Sequence, residues 1–397
     1  MTRRRALLSA SLLAAASPAS AQVFDTQLSL RADSRYEDNF LRLPPRAPTP
    51  PGRSRSEVVH SLAAGFMATA HIGLQQLYAG ADVGIERLTR NEGLDDDFYS
   101  GQAGLRWRLR RLCEGDVGAT LRRRRSDPGD VVGIIANRQE QRGVRGSGGC
   151  LLGGTWRATL EASAQKVENS AAQLSLADRR DTSVSATLAY EDLPLMKIGV
   201  QAGATRRRYP ARDGLTGVPF DPPVDGGNEQ KDVRLVLDRR ITPKLTFTGR
   251  VGLSRVDGAG AEDLTTETLD ARLGWQVGPK LSLDLSGGRA VESADTVVSS
   301  FVIAERVQLR ADWAFSPKLA FGATAAYEER DFRGGVLESG AEFSRKDKTK
   351  TGGVEIAYSI YRGVGLRFSY RYIDRNSTLS LATYTTHQAG VGISVTY

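Results

Sequence analysis

From about residue 25 onward the chain repeats one pattern: apolar residues at every second position, polar or small residues between them, and a turn-forming cluster after each run. Period-two alternation is that of a β-strand with one apolar face. The last run shows it unbroken, with Val391, Ile393, Val395 and Tyr397 on one face and Gly390, Gly392, Ser394 and Thr396 on the other. The pattern predicts about eighteen strands, over 25–36, 56–69, 75–88, 97–110, 112–124, 138–151, 155–166, 180–192, 194–208, 229–241, 244–256, 265–277, 280–291, 301–315, 318–331, 345–360, 363–375 and 384–397.

The connections alternate in length. Short turns are expected at Arg110-Arg111, Gly153-Gly154, Asp192-Leu193-Pro194, Thr242-Pro243-Lys244, Gly278-Pro279-Lys280, Ser316-Pro317-Lys318 and Tyr361-Arg362-Gly363. Three of these share a Pro-Lys-Leu string 36–38 residues apart, one hairpin repeat each. Longer connections rich in Pro, Gly and charge lie at Pro44–Arg55, Asp127–Arg138, Pro210–Asn228, Asp257–Asp263 and Arg333–Ser344. Short periplasmic turns and longer extracellular loops are the layout of an outer-membrane barrel. The expectation is an all-β chain forming a single antiparallel transmembrane outer-membrane β-barrel of about 18 strands (16–18) over residues 22–397.

One strand parity carries Leu105, Trp107 and Leu109, then Val233, Leu235 and Leu237, then Val307, Leu309 and Trp313; charges occupy the other. In a soluble sandwich the apolar face would be core, whereas in a membrane barrel it faces lipid and the charges face a water-filled lumen. The lumen-lining candidates are Arg31, Arg35, Arg106, Arg108, Arg122, Arg124, Arg234, Arg250, Arg272, Arg310, Arg367 and Arg371, with Asp116, Asp238, Asp270 and Asp312. Near-balance of the signs leaves two readings: charges that pair across strands, or a hydrated, slightly positive passage. Trp275, Trp313, Tyr361 and Tyr397 sit near strand ends, as an aromatic girdle would. Val395 and the terminal Tyr397 are expected to serve as the signal read by the barrel-assembly machinery, with the last strand closing on the first near Gln27–Tyr36.

Arg3-Arg4-Arg5, the apolar stretch Ala6 to Ala16 and Ala19-Ser20-Ala21 match a cleaved signal peptide over 1–21. That stretch is shorter than the ~20 residues a membrane helix needs. The net charge is +8, or +5 without those three arginines, and Lys and Arg are spread rather than gathered on one face, which argues against nucleic acid as a partner. Glycine (42 residues) recurs inside the strand-like runs, as relief of curvature in a closed sheet rather than as phosphate loops.

Catalytic motifs are missing. His60, His71 and His387 fall on or beside different strands, and Gly-x-Ser-x-Gly does not occur. Asp95-Asp96-Asp97, after Glu92, lacks the ligand spacing of a calcium loop and reads as a solvated loop. No catalytic, cofactor or metal site is expected. Cys113 and Cys150 lie on consecutive strands, on the outward parity and near the short-turn rim. An oxidising compartment permits a bridge between them, and register decides between that and two free thiols.

The string Ser34-Arg-Tyr-Glu-Asp-Asn-Phe-Leu-Arg-Leu-Pro-Pro45 resembles the D/E-D-N-x-x-R-L-P segment of EpsL-like outer-membrane proteins of exopolysaccharide gene clusters, within the broader β-barrel porin group. Asp178-Arg-Arg-Asp-Thr182, the Pro-Lys-Leu turns and the layout of the ends are also similar. The resemblance implies a passive outlet or supporting component of an exopolysaccharide or capsule secretion system, with polysaccharide, lipopolysaccharide and periplasmic polysaccharide-export proteins as partners. It brings no catalytic residues. The lumen alone also suits a general or mildly anion-preferring porin for small polar solutes, and a filled lumen would make a structural surface scaffold.

Overall fold

A computed structural model describes residues 24–126, 136–193, 195–212, 226–257, 263–293, 301–336 and 342–397. Residues 1–23, which contain the expected signal peptide, Pro194 and parts of five long connections (127–135, 213–225, 258–262, 294–300 and 337–341) lie outside the described residues.

Eighteen strands account for nearly all the described backbone: β1 (Phe24–Glu37), β2 (Glu57–Ile72), β3 (Gln75–Leu88), β4 (Asp96–Leu109), β5 (Cys113–Arg125), β6 (Arg138–Leu152), β7 (Trp156–Asn169), β8 (Arg179–Leu193), β9 (Met196–Arg208), β10 (Gly227–Thr242), β11 (Leu245–Asp257), β12 (Leu264–Gln276), β13 (Leu281–Ser293), β14 (Phe301–Ala314), β15 (Leu319–Val336), β16 (Glu342–Tyr361), β17 (Val364–Ser377) and β18 (Tyr384–Thr396). Each pairs antiparallel with its neighbours in sequence, and β18 pairs with β1, so the sheet is closed. Closure runs from Ser29 opposite Thr396 to Glu37 opposite Gln388, and the Leu28 and Tyr397 backbones exchange hydrogen bonds at its end. With every strand edge paired, no ladder group is left for another chain to capture.

Eighteen strands at ~4.8 Å spacing and ~40° tilt give a backbone diameter of roughly 35 Å. At that tilt a 14-residue strand rises about 35 Å, more than the ~25 Å apolar band of such barrels, so the strands extend past the lipid.

The exterior carries the apolar parity. Leu28, Leu62, Val83, Val117, Val144, Leu160, Val200, Leu235, Val251, Leu309, Phe368 and Ile393 are all exposed. Such a surface on a closed barrel is covered by lipid, which fixes the chain as an integral barrel of the bacterial outer membrane. All four tryptophans, Trp107, Trp156, Trp275 and Trp313, lie at the short-turn ends of their strands, with Tyr361 and Tyr397 beside that rim. Left-handed backbone at Gly153 (φ 60°) and Gly154 (φ 85°) makes one of these turns.

Cys113 and Cys150 are register partners in β5 and β6 and form a disulfide. The differences from the sequence reading are at the ends of elements. Gly73-Leu74 makes an eighth short turn, while Asp192 and Leu193 continue β8 rather than turning. β15 and β16 run on to Val336 and start from Glu342, where the ladder leaves the lipid and alternation is no longer imposed. Short 3₁₀ segments occupy Glu92–Leu94, Ala172–Ala177, Pro210–Arg212 and Ser380–Ala382, all at the long-loop end. Buried apolar residues gather there too, as Leu41, Val59, Leu88 and Leu94 in one cluster and Val256, Val291 and Phe301 in another.

Candidate functional site

Directly opposed residues in an antiparallel ladder share a face. Following the register, all sixteen lumen candidates fall on the inner face: Arg106 opposite Asp116, Arg108 opposite Glu114, Arg122 opposite Gln141, Arg124 opposite Gln139, Asp238 opposite Lys197, Arg250 opposite Asp270, Arg371 opposite Gln388, and the rest in the same rows. Several cavities sit against this face, and two of them together hold nine of the sixteen candidates. The larger, 770 Å³, is lined from β4 round to β11 by Arg106, Asp116, Arg145, Glu161, Asp232, Arg234 and Arg250 among Ser147, Ser163, Ser183, Ser185, Gln201, Thr205 and Gln230. The second, 590 Å³, lies toward the loop end and gathers Arg31, Arg35, Phe40, Arg42, Asp82, Glu86, Arg122, Arg124, Arg371 and Gln388.

The candidates divide by pairing. Arg108 meets Glu114 at 3.3 Å, Arg234 meets Asp232 at 3.1 Å, Arg272 meets Asp284 at 2.6 Å, Arg310 meets Asp312 at 2.7 Å, and Asp116 lies 3.9 Å from Arg106 and 3.4 Å from Arg145. Arg35 is 4.0 Å from Glu37, too far for a hydrogen bond. Among the described residues Arg122, Arg124, Arg250 and Arg371 have no acidic partner, and Asp238 and Asp270 have no basic one. The second cavity therefore holds three of the candidates as unneutralised guanidinium groups, two of them neighbours on the inner face of β5.

Two of the candidate arginines reach over an intervening strand. Arg31 on β1 bonds Asp82 on β3 across β2, and Arg367 on β17 bonds Asp33 on β1 across β18, at 3.2 Å. Small residues beneath make this possible. A Cβ on Gly65 of β2 would lie 2.7 Å from the Asp82 carboxylate, and one on Gly392 of β18 would collide with that of Asp33.

The connection between β1 and β2 supplies residues that periodicity could not place. Asp38 accepts from the His387 amide at 2.7 Å. The Asn39 side chain donates to the carbonyls of Leu43 and Thr385 and accepts from the Leu43 amide. Arg42, at φ 54°, pairs with the buried Glu37 at 3.3 Å. These bonds tuck Leu41 into the loop-end cluster and set Phe40 and Arg42 on the cavity wall. The Glu37–Leu43 signature thus builds a loop; an Asx residue followed by Arg and Pro was the available hint.

Next to it, the Glu57 carboxylate is fully buried and accepts from the amides of Val58, Thr89, Arg90 and Asn91, the Thr89 hydroxyl and the Asn91 side chain. It pins the turn that carries Leu94. Asp95, Asp96 and Asp97 are spent on the Leu88 amide, on Arg125 and Arg138, and on Arg87. His60, His71 and His387 bond Ser34, Asp25 and Tyr370 at three separate places.

A closed barrel with a polar, charge-lined interior and an apolar exterior has the make-up of a pore. Residues 253–397 match the family model described as Putative beta-barrel porin 2. The chain is an outer-membrane β-barrel whose carboxy-terminal third is similar to that family. Among solved structures it is similar to the outer membrane protein OpdK from Pseudomonas aeruginosa, at 13% identity and TM-score 0.47 over 94% of this chain and 99% of that one. It is also similar to OccAB3 from Acinetobacter baumannii, at 11% and 0.48 over 94% and 99%. The siderophore receptor PirA from Pseudomonas aeruginosa aligns at 9% and 0.47 over 94% of this chain and 80% of that one. No curated protein matches. The matched segment of the barrel begins in β11 and so includes Arg272, Arg310, Arg367 and Arg371, but not Arg122 or Arg124.

Proposed function

We propose that the barrel is a passive channel for small polar solutes with a preference for anions. The observation that carries this reading is the set of guanidinium groups of Arg122, Arg124 and Arg371, which face the loop-end cavity without acidic partners among the described residues. An anion entering there finds fixed donors in place of part of its hydration shell. Farther along, the wall of Ser147, Ser163, Ser183, Ser185 and Thr205 offers hydroxyl groups that donate or accept, so a solute exchanges partners as it moves. Paired charges such as Arg272–Asp284 add polarity with little net field. Binding that is multi-site and individually weak lets a solute leave as well as enter.

The test is the reversal potential of the purified barrel in planar bilayers under a KCl gradient. The wild type is expected to favour chloride. Arg122→Gln/Arg124→Gln/Arg371→Gln should lose most of that preference while still conducting. A cation-selective wild type, or a triple variant with unchanged selectivity, would sink the reading.

Service as an exopolysaccharide outlet is the second reading, favoured by the resemblance of Ser34–Pro45. Those residues are occupied in folding the first loop, which leaves the polymer role with less support than solute passage. Undiminished secreted polymer and a normal surface layer after gene deletion would remove it.

A further inference from the structure

The outer wall carries a feature that solute passage does not use. In β6 to β9, Arg142 stands opposite Lys166, Lys166 opposite Arg180, and Arg180 opposite Arg208. Arg206 lies one row lower, opposite Thr182. These five cations share the parity of Val144, Leu160, Val184 and Val200, which are exposed to lipid, and they sit toward the long-loop end of their strands, just above that belt.

Like charges directly opposed on adjacent strands repel, and four in one row need counter-charge. Glu140 and Glu168 meet Arg142 and Lys166. Arg180 and Arg208 are exposed and have no acidic partner among the described residues, while Arg206, also exposed, stands opposite Glu229 of β10, whose carboxylate is taken by Lys231 at 3.5 Å. Asp181, the nearest carboxylate in sequence, points inward and is held by Arg179 and Arg207. On the outer face of β15 and β16, by contrast, Lys346 and Lys348 share the carboxylate of Glu329. Strands that outreach the apolar band put this row at the depth of the outer-leaflet headgroups.

We infer that the loop end of the β6–β9 outer wall binds the phosphate groups of a phosphorylated glycolipid of the outer leaflet. Guanidinium groups form bidentate bonds with phosphate, and the apolar belt directly below receives the acyl chains. Charge complementarity and continuity with the lipid-facing surface select this occupant over a soluble protein. The inference stands independently of what crosses the lumen.

The folded barrel in neutral detergent would be titrated with bis-phosphorylated lipid A and with the same lipid after phosphate removal, with bound lipid counted by native mass spectrometry. The wild type should prefer the phosphorylated lipid by about tenfold or more, and Arg180→Gln/Arg206→Gln/Arg208→Gln should lose that preference. Arg122→Gln/Arg124→Gln, on the lumen side, should keep it. Equal binding of both lipids by the wild type would overturn the inference before any variant is made. So would a triple variant that retains the preference. Heat-modifiable gel mobility reports that the variant is folded; if the triple variant is not, Arg180→Gln and Arg208→Gln singly replace it, each expected to weaken the preference, and two unchanged singles would count against the inference.

Discussion

Replacing Glu57 by Gln should loosen one corner of the loop end and leave the barrel standing. The carboxylate is at 0% exposure, and its two oxygens accept from six donors: the amides of Val58, Thr89, Arg90 and Asn91, the Thr89 hydroxyl and the Asn91 side-chain amide. Glutamine keeps one acceptor oxygen and turns an NH₂ toward the donors of the other. Whichever way it is oriented, two or more donors lose their partner, at about 1–3 kcal/mol each when buried. The sum, about 4 kcal/mol, is charged to a local opening of residues 88–95 and not to global unfolding, because the β2–β3 ladder below is untouched. Hydrogen exchange of the folded barrel reads this directly. Amides of Thr89–Leu94 should exchange faster by about three orders of magnitude, at 1.4 kcal/mol per decade. Amides of Ala63–Thr69 should keep their protection. Unchanged exchange at 89–94 would refute the assignment of Glu57 as the pin, and equal acceleration in both segments would refute its locality. Leu94 packs with Leu41, so the variant should also show noisier single-channel currents as the first loop loses its support.

Two further outcomes are expected. Cys113→Ser/Cys150→Ser should destabilise the detergent-folded barrel by up to about 4 kcal/mol for a 37-residue separation, read as a lower urea midpoint, and reductant should do the same to the wild type but not to the variant; equal midpoints would show that the bridge adds nothing the ladder lacks. Gly392→Val should displace the Asp33 carboxylate and break its pair with Arg367, a half-exposed bridge worth about 1 kcal/mol or less, with crowding adding about 1–3 kcal/mol. Asp33→Ala should relieve most of that crowding, so additive penalties in the double variant would reject the proposed contact.

All eighteen strands were legible because each writes its own evidence: lipid on one side and water on the other enforce alternation residue by residue, within a single element. The inner face followed from the same parity. Which arginines remain unpaired was not legible. Arg31 and Arg122 look alike in sequence, yet Arg31 reaches an acid two strands away because Ala63 and Gly65 leave a low crossing over β2, whereas Arg122 finds none. Such pairings depend on a third strand's side-chain size, which no local pattern records. The first loop was opaque for a different reason: Leu41 is buried by the hydrogen bonds of Asn39 and the Arg42–Glu37 ion pair, not by periodicity. The cysteine pairing waited on register, which places Cys113 directly opposite Cys150.

The bridge from Arg367 to Asp33 has a meaning for how the barrel is made. It involves β17, β18 and β1 together, the only place where the two ends of the described chain meet. Neither β17–β18 pairing nor β1–β2 pairing alone can form it. A one-residue slip at the closing ladder would turn the charged face of β1 toward lipid, and a two-residue slip in one direction would put the Ser394 side chain where the bridge needs the empty space over Gly392. The seam therefore checks its own alignment: the clasp fastens only when the last strand has docked in register, so the same contact that ties the finished wall also distinguishes a correctly closed barrel from a misclosed one.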